Sequence, residues 1–200
     1  HVRSRRQRQM CIRDRELMQR RSELMSTAGG GAMTAVIGFD RDQLNALVAD
    51  TADVVIANDN SEAQVVLSGS PEAVGSVSEA LTCKRAIPLA VSGAFHSPFM
   101  ADAAEAFSAH LDTLTFADAR MPVLSNTDPT PSSDGSELKQ RLRQQMTTGV
   151  RWRETMEALT AAGVDTLVEI GPGNVLSGLA KRSMRGVTSH QLANAGDLGL

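Results

Sequence analysis

His96 is the residue of this 200-residue chain whose type and setting most favour chemistry, and it lies in the stretch VSGAFHSPFM at residues 91–100. Small and aromatic residues precede it, and a Ser-Pro pair typical of a helix start follows it. This pattern places the imidazole between the end of a strand and the start of a helix. Its chemistry would be general acid–base catalysis. A lone histidine is more often a structural or surface residue, so the rest of the chain must decide between these interpretations.

A second candidate is an arginine on the apolar face of a predicted helix. The segment ELMQRRSELMST spans residues 16–27. The residues at helical spacing on one face are Leu17, Arg21, Leu24 and Met25. A buried guanidinium at Arg21 could hold an anion. On the spacing alone, the alternative in which both Arg20 and Arg21 are solvated is favoured.

A third candidate is the turn Gly171-Pro172-Gly173 between a predicted strand, TLVEIG, and a predicted helix. Glycine permits a tight turn, and the N-terminus of the following helix could face an anion. A sharp structural turn is the favoured role for these residues. The sequence contains neither GxGxxG nor a Walker A motif, so a nucleotide site is not indicated.

The elements around His96 begin with an unusually clear block at residues 32–91. Alternating, β-branched segments predict strands over residues 32–39, 53–58, 64–69 and 86–91. Asp40 with Gln43, and Ser70 with Pro71, predict the starts of two helices between them. The order βαββαβ is that of a ferredoxin-like unit with its helices on one face of an antiparallel sheet.

The elements after His96 alternate between helix and strand. We expect helices after Ser97, over residues 137–146 and 152–162, and through Val175, and strands over residues 121–126 and 166–171. Residues 128–136 predict a loop, and those beyond Arg185 a frayed end. This alternation favours an α/β layer with a mostly parallel sheet. The ferredoxin-like unit at residues 32–91 would then interrupt a large α/β unit at residues 16–31 and 92–185, followed by a tail at residues 186–200.

Composition and charge exclude several classes of protein. No apolar run is long enough for a membrane helix, and no signal peptide is evident, so we expect a cytoplasmic protein that binds no membrane. Cys11 and Cys83 suggest neither a disulfide framework nor a metal site. The net charge is −3, yet residues 1–15 contain six arginines and one aspartate. We interpret residues 1–15 as a non-native or disordered segment.

Six strings occur in one order along the chain: RSELM, GAMTAVIG, ANDNSEAQVVLSG, GAFHSPFM, QMTTGVRW and VEIGPGNVLSGLAKR. In these strings the chain, from about Leu17 to Arg182, resembles the malonyl-CoA:acyl carrier protein transacylase family, which includes the acyltransferase domains of polyketide synthases. The resemblance implies an α/β-hydrolase-like parallel-sheet core with a ferredoxin-like subdomain over the active site.

The resemblance also implies an activity. A serine takes the malonyl group from malonyl-CoA and yields it to the phosphopantetheine thiol of acyl carrier protein, in fatty-acid or polyketide biosynthesis. His96 matches the histidine that acts as general base and acid in this ping-pong reaction. Gln145 matches the position whose backbone carbonyl orients that imidazole. No cofactor beyond the phosphopantetheine of the partner is implied, and the full-length enzyme is expected to be a monomer.

Four further residues match positions near the family's substrate. Arg21 matches the arginine that binds the malonyl carboxylate, for which a guanidinium is chemically suited. Phe95 stands where malonyl-selective members have a bulky residue. Met25 and Asn60 match positions near the pocket. The resemblance thus reverses the interpretation in which Arg21 is merely solvated.

One departure from the family matters. The family's nucleophile lies in a Gly-His-Ser-x-Gly elbow, and nothing in this sequence satisfies even Gly-x-Ser-x-Gly. We therefore expect an N-terminally truncated, incomplete acyltransferase unit that is inactive alone. An alternative is a non-catalytic binding or docking module derived from the family. A nucleic-acid-binding protein that uses residues 1–15 is a more distant alternative, and we expect no nucleic-acid partner.

Overall fold

The structure is a computed structural model that describes residues 5–91 and 93–198. The helices are α1 Arg5–Thr27, α2 Arg41–Asp50, α3 Pro71–Ala80, α4 Ala101–Asp112, α5 Gly135–Gln144, α6 Trp152–Ala161 and α7 Val175–Ser183. The strands are β1 Ala32–Phe39, β2 Val54–Ser61, β3 Gln64–Gly69, β4 Cys83–Pro88, β5 Val123–Ser125, β6 Asp128–Ser132, β7 Thr166–Ile170 and β8 Thr188–Leu192. The predicted α/β class is confirmed. Within the described ranges, no helix has the length and apolar character needed to cross a bilayer.

The block between Ala32 and Pro88 folds as a four-stranded antiparallel sheet in the order β2-β3-β1-β4. With α2 after β1 and α3 after β3, this is the predicted βαββαβ arrangement. Both predicted helix caps are present. The Asp40 side chain accepts a hydrogen bond from the Gln43 backbone N–H at 2.8 Å, and Ser70 Oγ accepts one from Ala73 N–H at 3.1 Å.

The two faces of this sheet have different partners. One face packs against α2 and α3 in a core that includes Val36, Leu67 and Val74. The opposite face carries a smaller cluster, Met33, Ala35, Ala57 and Val66, against which Phe95 packs. The segment that contains His96 therefore lies against the helix-free face of the sheet.

Strand β4 and the segment after β5 differ from the prediction. Strand β4 begins at Cys83, three residues before the predicted start, because Cys83 already pairs with Phe39 and an edge strand tolerates Lys84 and Arg85. Asp128–Ser132, predicted as a loop, pairs with β5. Its two prolines fit such an edge strand because only one side needs ladder donors.

The segment beyond Arg185 is not frayed as predicted. Thr188–Leu192 form β8, which runs parallel to β7 in the register Thr166↔Thr188 to Ile170↔Leu192. The polar sequence TSHQL gave little sign of this, because its pairing partner is more than twenty residues away. Among the described residues, β7 and β8 are the one pair of strands that runs parallel, and Asn58 and Val150 form an isolated parallel bridge besides them.

Helix α1 begins at Arg5 rather than at Glu16. The sequence from Arg5 to Arg15 contains no glycine or proline and is rich in arginine and glutamine, which are good helix formers. Residues 1–4 of the segment that we interpreted as non-native lie outside the described residues, and the origin of residues 1–15 stays a prediction.

The segment between α1 and β1 and the segment between β4 and His96 connect the four-stranded sheet to the rest of the chain. These two connections pack directly against each other at glycines. A Cβ atom on Gly31 would lie 2.4 Å from the Cβ atom of Ala94, and one on Gly93 would lie 2.6 Å from the carbonyl oxygen of Ala28. Both distances are far below normal contact. The glycines thus allow the end of α1 and the segment before His96 to pack directly together.

Strand β2 is also joined to the segment before α6. Asp59 N–H donates to Val150 O and Val150 N–H donates to Ala57 O, each at 2.8 Å. The Asp59 carboxylate lies between two guanidiniums, with Arg41 at 3.1 Å and Arg153 at 2.9 Å. This ion-pair cluster joins α2 and α6 across β2.

Candidate functional site

His96 is held by a hydrogen bond to the main chain of a distant segment. Its Nδ1 atom lies 2.8 Å from the backbone oxygen of Gln145, which follows α5. Its backbone is also unusual, because φ is 58°, in the left-handed region that residues with a Cβ atom rarely adopt. The imidazole is therefore fixed both by its own backbone conformation and by its partner.

The hydrogen bond to the Gln145 carbonyl determines the tautomer of the His96 ring. A carbonyl oxygen only accepts, so Nδ1 must carry the proton that it donates to Gln145. In the neutral imidazole this leaves the Nε2 lone pair free to accept a proton. The arrangement is the one that a general base requires.

The electrostatic surroundings favour the neutral ring. Burial is the main cause that lowers the pKa of His96 below its usual value, and the positive charge of Arg21 lowers it further. Hydrogen bonds with the backbone of Gln145 and Thr148 act in the opposite direction and raise the pKa. The net shift is downward, so the ring is neutral and able to take up a proton at neutral pH.

Arg21 and its neighbour Arg20 differ in burial, as the apolar spacing of α1 suggested. Arg20 is exposed and forms a surface ion pair with Glu23 at 3.7 Å. Arg21 is half-buried, its burial lowers the guanidinium pKa, and among the described residues its Nε atom has no hydrogen-bond partner. A buried donor without a partner is costly unless something binds to it. Arg21 is thus suited to an anion that comes from outside the described chain.

The apolar candidates lie between two cores. Phe95 packs both on the helix-free face of the sheet and on the cluster of Leu17, Met100 and Phe107 formed by α1 and α4. Met25 packs on this second cluster. The two side chains therefore lie near the junction of sheet and helices, on the side of α1 that carries Arg21.

Asn60 is the candidate with the weakest link to the others. It is half-buried on β2, two residues beyond the bridge between Asn58 and Val150. The hydrogen bonds and packing clusters of the described residues do not connect its side chain to the rest. The structure thus brings His96, Gln145, Arg21, Phe95 and Met25 together and leaves Asn60 apart.

The Gly-Pro-Gly turn does not offer a free helix N-terminus. The Glu169 carboxylate accepts hydrogen bonds from the backbone N–H groups of Leu176 at 3.1 Å and Ser177 at 2.9 Å. Hydrogen bonds from Ser177 lower the pKa of Glu169, so this carboxylate is ionised at neutral pH. An internal carboxylate already occupies the place that an external anion would take.

Two cavities lined by described residues do not have His96 among their lining residues. A cavity of about 810 Å³ lies between the β2–β3 turn and helices α6 and α7, and none of the six candidate residues lines it. A cavity of about 350 Å³ lies between β5 and α5 and reaches Gln145. The candidate site is therefore identified by the backbone geometry and hydrogen bonding of His96.

Two features of the site were missed in the sequence. The backbone of Thr148 acts on His96, and backbone contacts carry no signal in residue type. The second feature is the ion-pair cluster of Asp59, Arg41 and Arg153, which lies on β2 where this strand pairs with Val150. The separation of 94 residues between Asp59 and Arg153 hides this pairing from local patterns.

Comparison with known proteins gives one consistent result. The model of the acyl transferase domain matches residues 14–196. A malonyl CoA-acyl carrier protein transacylase from Synechocystis is 46% identical over 183 residues, which are 92% of this chain and 62% of that protein. One of the same name from Bacillus subtilis is 39% identical and is matched over 84% of this chain and 56% of its own length. The chain therefore spans about three-fifths of the length of these relatives.

Solved structures agree with the sequence relatives. The crystal structure of the Synechocystis malonyl-CoA:ACP transacylase superposes with a TM-score of 0.88, covering 92% of this chain and 62% of that one. A malonyl-transacylase in complex with its type II polyketide acyl-carrier protein is 35% identical, with a TM-score of 0.85 and the same coverage. In sequence and in fold, this chain belongs to the acyl transferase domain family.

Proposed function

We propose that this chain carries the histidine and arginine half of a malonyl transferase that moves malonyl from malonyl-CoA to the phosphopantetheine thiol of acyl carrier protein, in fatty-acid or polyketide synthesis. The observation that carries the proposal is the hydrogen bond from His96 Nδ1 to the carbonyl of Gln145, which leaves Nε2 free as a base. The names of the relatives support the choice of acyl group and carrier.

In the first half-reaction, His96 Nε2 removes the proton from a serine hydroxyl as the serine oxygen attacks the thioester carbonyl of malonyl-CoA. The carbon–sulfur bond then breaks. The CoA sulfur leaves with the proton that His96 returns. The products are a malonyl ester on serine and free CoA.

In the second half-reaction, His96 takes the proton from the phosphopantetheine thiol, whose sulfur attacks the ester carbonyl. The serine oxygen leaves and recovers the proton from His96. Throughout, the Gln145 carbonyl stabilises the imidazolium and keeps Nε2 aimed at the reacting atoms, a role that a carboxylate fills in many Ser-His enzymes.

Arg21 would select the acyl group. Its half-buried guanidinium can make two parallel charge-assisted hydrogen bonds to the terminal carboxylate of malonyl, which acetyl lacks. Phe95 and Met25 would bound the same space with apolar surface, and the bulk of Phe95 would disfavour a branched acyl group. Asn60 would lie farther along the pocket on β2.

The serine must come from polypeptide outside this sequence, so the test uses a fusion. Residues 16–200 are joined to the N-terminal part of the Synechocystis relative that lies before the matched region. We expect this fusion to transfer malonyl to acyl carrier protein, and His96→Ala to slow transfer by about 10²- to 10⁴-fold. His190→Ala, on exposed β8, is the matched control.

The acyl donor distinguishes the roles of the two arginines. In the same fusion, Arg21→Met should reduce the preference for malonyl-CoA over acetyl-CoA, whereas Arg20→Met should leave it unchanged. A fusion in which His96→Ala leaves the rate of malonyl transfer unchanged would refute the proposal. The same holds if the isolated 200-residue chain transfers malonyl, since we propose that it is inactive alone.

A further inference from the structure

The turn that carries His96 is closed by a serine hydroxyl. Ser97 is fully buried, and its Oγ donates to the backbone oxygen of Ala94 at 2.5 Å. The same Oγ accepts from Phe99 N–H at 3.3 Å, and Ser97 O accepts from Met100 N–H at 3.0 Å. The side chain thus joins the residues before His96 to the short 3-10 helix Pro98–Met100 that follows it.

This closure matters because the residue it encloses is strained. His96 has a φ of 58°, which is unfavourable for any residue with a Cβ atom unless the surroundings impose it. On one side the imidazole is held by Gln145. On the other side the turn is held by the Ser97 hydroxyl. Without the hydroxyl, the buried carbonyl of Ala94 loses its hydrogen-bond donor. Relaxation of the turn would then relieve both the cost of this unpaired carbonyl and the backbone strain of His96.

We propose that Ser97 is a positioning residue for His96: its buried hydroxyl closes the turn at Ala94 and so keeps His96 in the left-handed conformation that aims Nδ1 at the Gln145 carbonyl. Ser97 itself does not contact substrate in this scheme. The inference deepens the proposed function, since His96 is the base in that function, but its geometry does not depend on which acyl group is transferred.

The test measures the tautomer of His96 in the full 200-residue chain by nitrogen-detected NMR of labelled histidine. In the unaltered chain the neutral ring is held as the Nδ1–H form by Gln145. We expect Ser97→Ala to lower the ratio of the Nδ1–H to the Nε2–H form by about fivefold, as the loss of one hydrogen bond allows. Ser97→Cys, which keeps a weak donor, should give an intermediate ratio.

Ser78→Ala is the matched control, because Ser78 Oγ also donates to a backbone oxygen, that of Val74 at 2.6 Å, but on α3. It should leave the His96 ratio unchanged. A Ser97→Ala chain that melts at a lower temperature with an unchanged ratio shows a merely structural role and overturns the proposal. If Ser97→Ala fails to fold, the Cys variant decides: a lowered ratio supports the proposal and an unchanged one overturns it. No acyl donor is needed, so this result is independent of malonyl transfer.

Discussion

At the scale of single residues, His96 is distinguished by what surrounds its ring. Burial and the charge of Arg21 disfavour the imidazolium, whereas the backbone of Gln145 and Thr148 favours it. Because burial is the largest of these effects, the folded chain holds the ring neutral over a pH range in which the unfolded chain would protonate it. His96 therefore contributes to the dependence of stability on pH.

The direction of this linkage gives a prediction. The folded pKa of His96 lies below its unfolded value, so the unfolded state binds more protons between the two values. The contribution of His96 to stability is full above the unfolded pKa of about 6.5 and is lost as the pH falls through the folded pKa. We expect His96→Gln to flatten this part of the curve of unfolding free energy against pH, measured by urea titration.

His190→Gln provides the control, since His190 is exposed on β8. The His190→Gln chain should still show the fall in unfolding free energy with falling pH that His96→Gln flattens. A steeper decline in the His96→Gln chain would mean that the folded pKa is raised and not lowered. That outcome would contradict the neutral-ring account of the site.

At the scale of elements, the site depends on how closely two connections pass each other. The end of α1 carries Arg21 and the segment before α4 carries His96, and these meet at Gly31 and Gly93. Because a Cβ atom at either glycine would overlap the other connection, the backbones of the two connections are in direct contact. Any residue that separates the two connections should alter the site as well as the packing.

Gly31→Ala is the substitution that tests this contact. The added Cβ would overlap Ala94, so we expect destabilisation of about 1–3 kcal/mol. Gly75→Ala is the matched control on α3, where a Cβ would meet nothing within 4 Å. It should stabilise the chain by about 0.5–1 kcal/mol because alanine is the better helix former. Equal thermal midpoints for the two variants would show that the connections are not in tight contact.

The elements also show what a sequence can and cannot predict. Strand β1 and the caps at Asp40 and Ser70 were predictable because their signals are local: alternation, and a side chain three residues from the N–H that it accepts. Strand β8 and the ion-pair cluster at Asp59 were not, because their partners are distant in sequence. His96 was singled out by its setting, but its contact with Gln145 was available only through family resemblance.

At the scale of the whole molecule, the described surface is uneven in its apolar character. Strand β7 and the start of α7 expose a group of large apolar side chains, which we call the β7–α7 patch: Val168, Ile170, Val175 and Leu176. Ile170 is 80% exposed and Val175 is 69% exposed. Exposed apolar side chains of this kind promote association.

Ile170→Thr should therefore raise the protein concentration at which light scattering begins to increase. Threonine keeps the β-branched shape, and because Ile170 makes little internal contact we expect the stability to change by less than about 0.5 kcal/mol. Leu167→Thr is the control on the same strand, since Leu167 packs against the core of α6 and α7. It should destabilise the chain by about 1–3 kcal/mol. An unchanged onset of scattering for Ile170→Thr would exclude the β7–α7 patch as the cause of association.

The pairing of β1 with β4 has a consequence for how such a molecule can be rearranged. These strands are the first and last of the four-stranded sheet, and Thr34 lies opposite Pro88. Adjacent strands are about 4.8 Å apart, so the sheet is entered and left at nearly the same point in space. A short glycine linker could bridge that gap, and a homologous sheet could be exchanged through it. The fold is thus modular at the two connections on which the geometry of its candidate site depends.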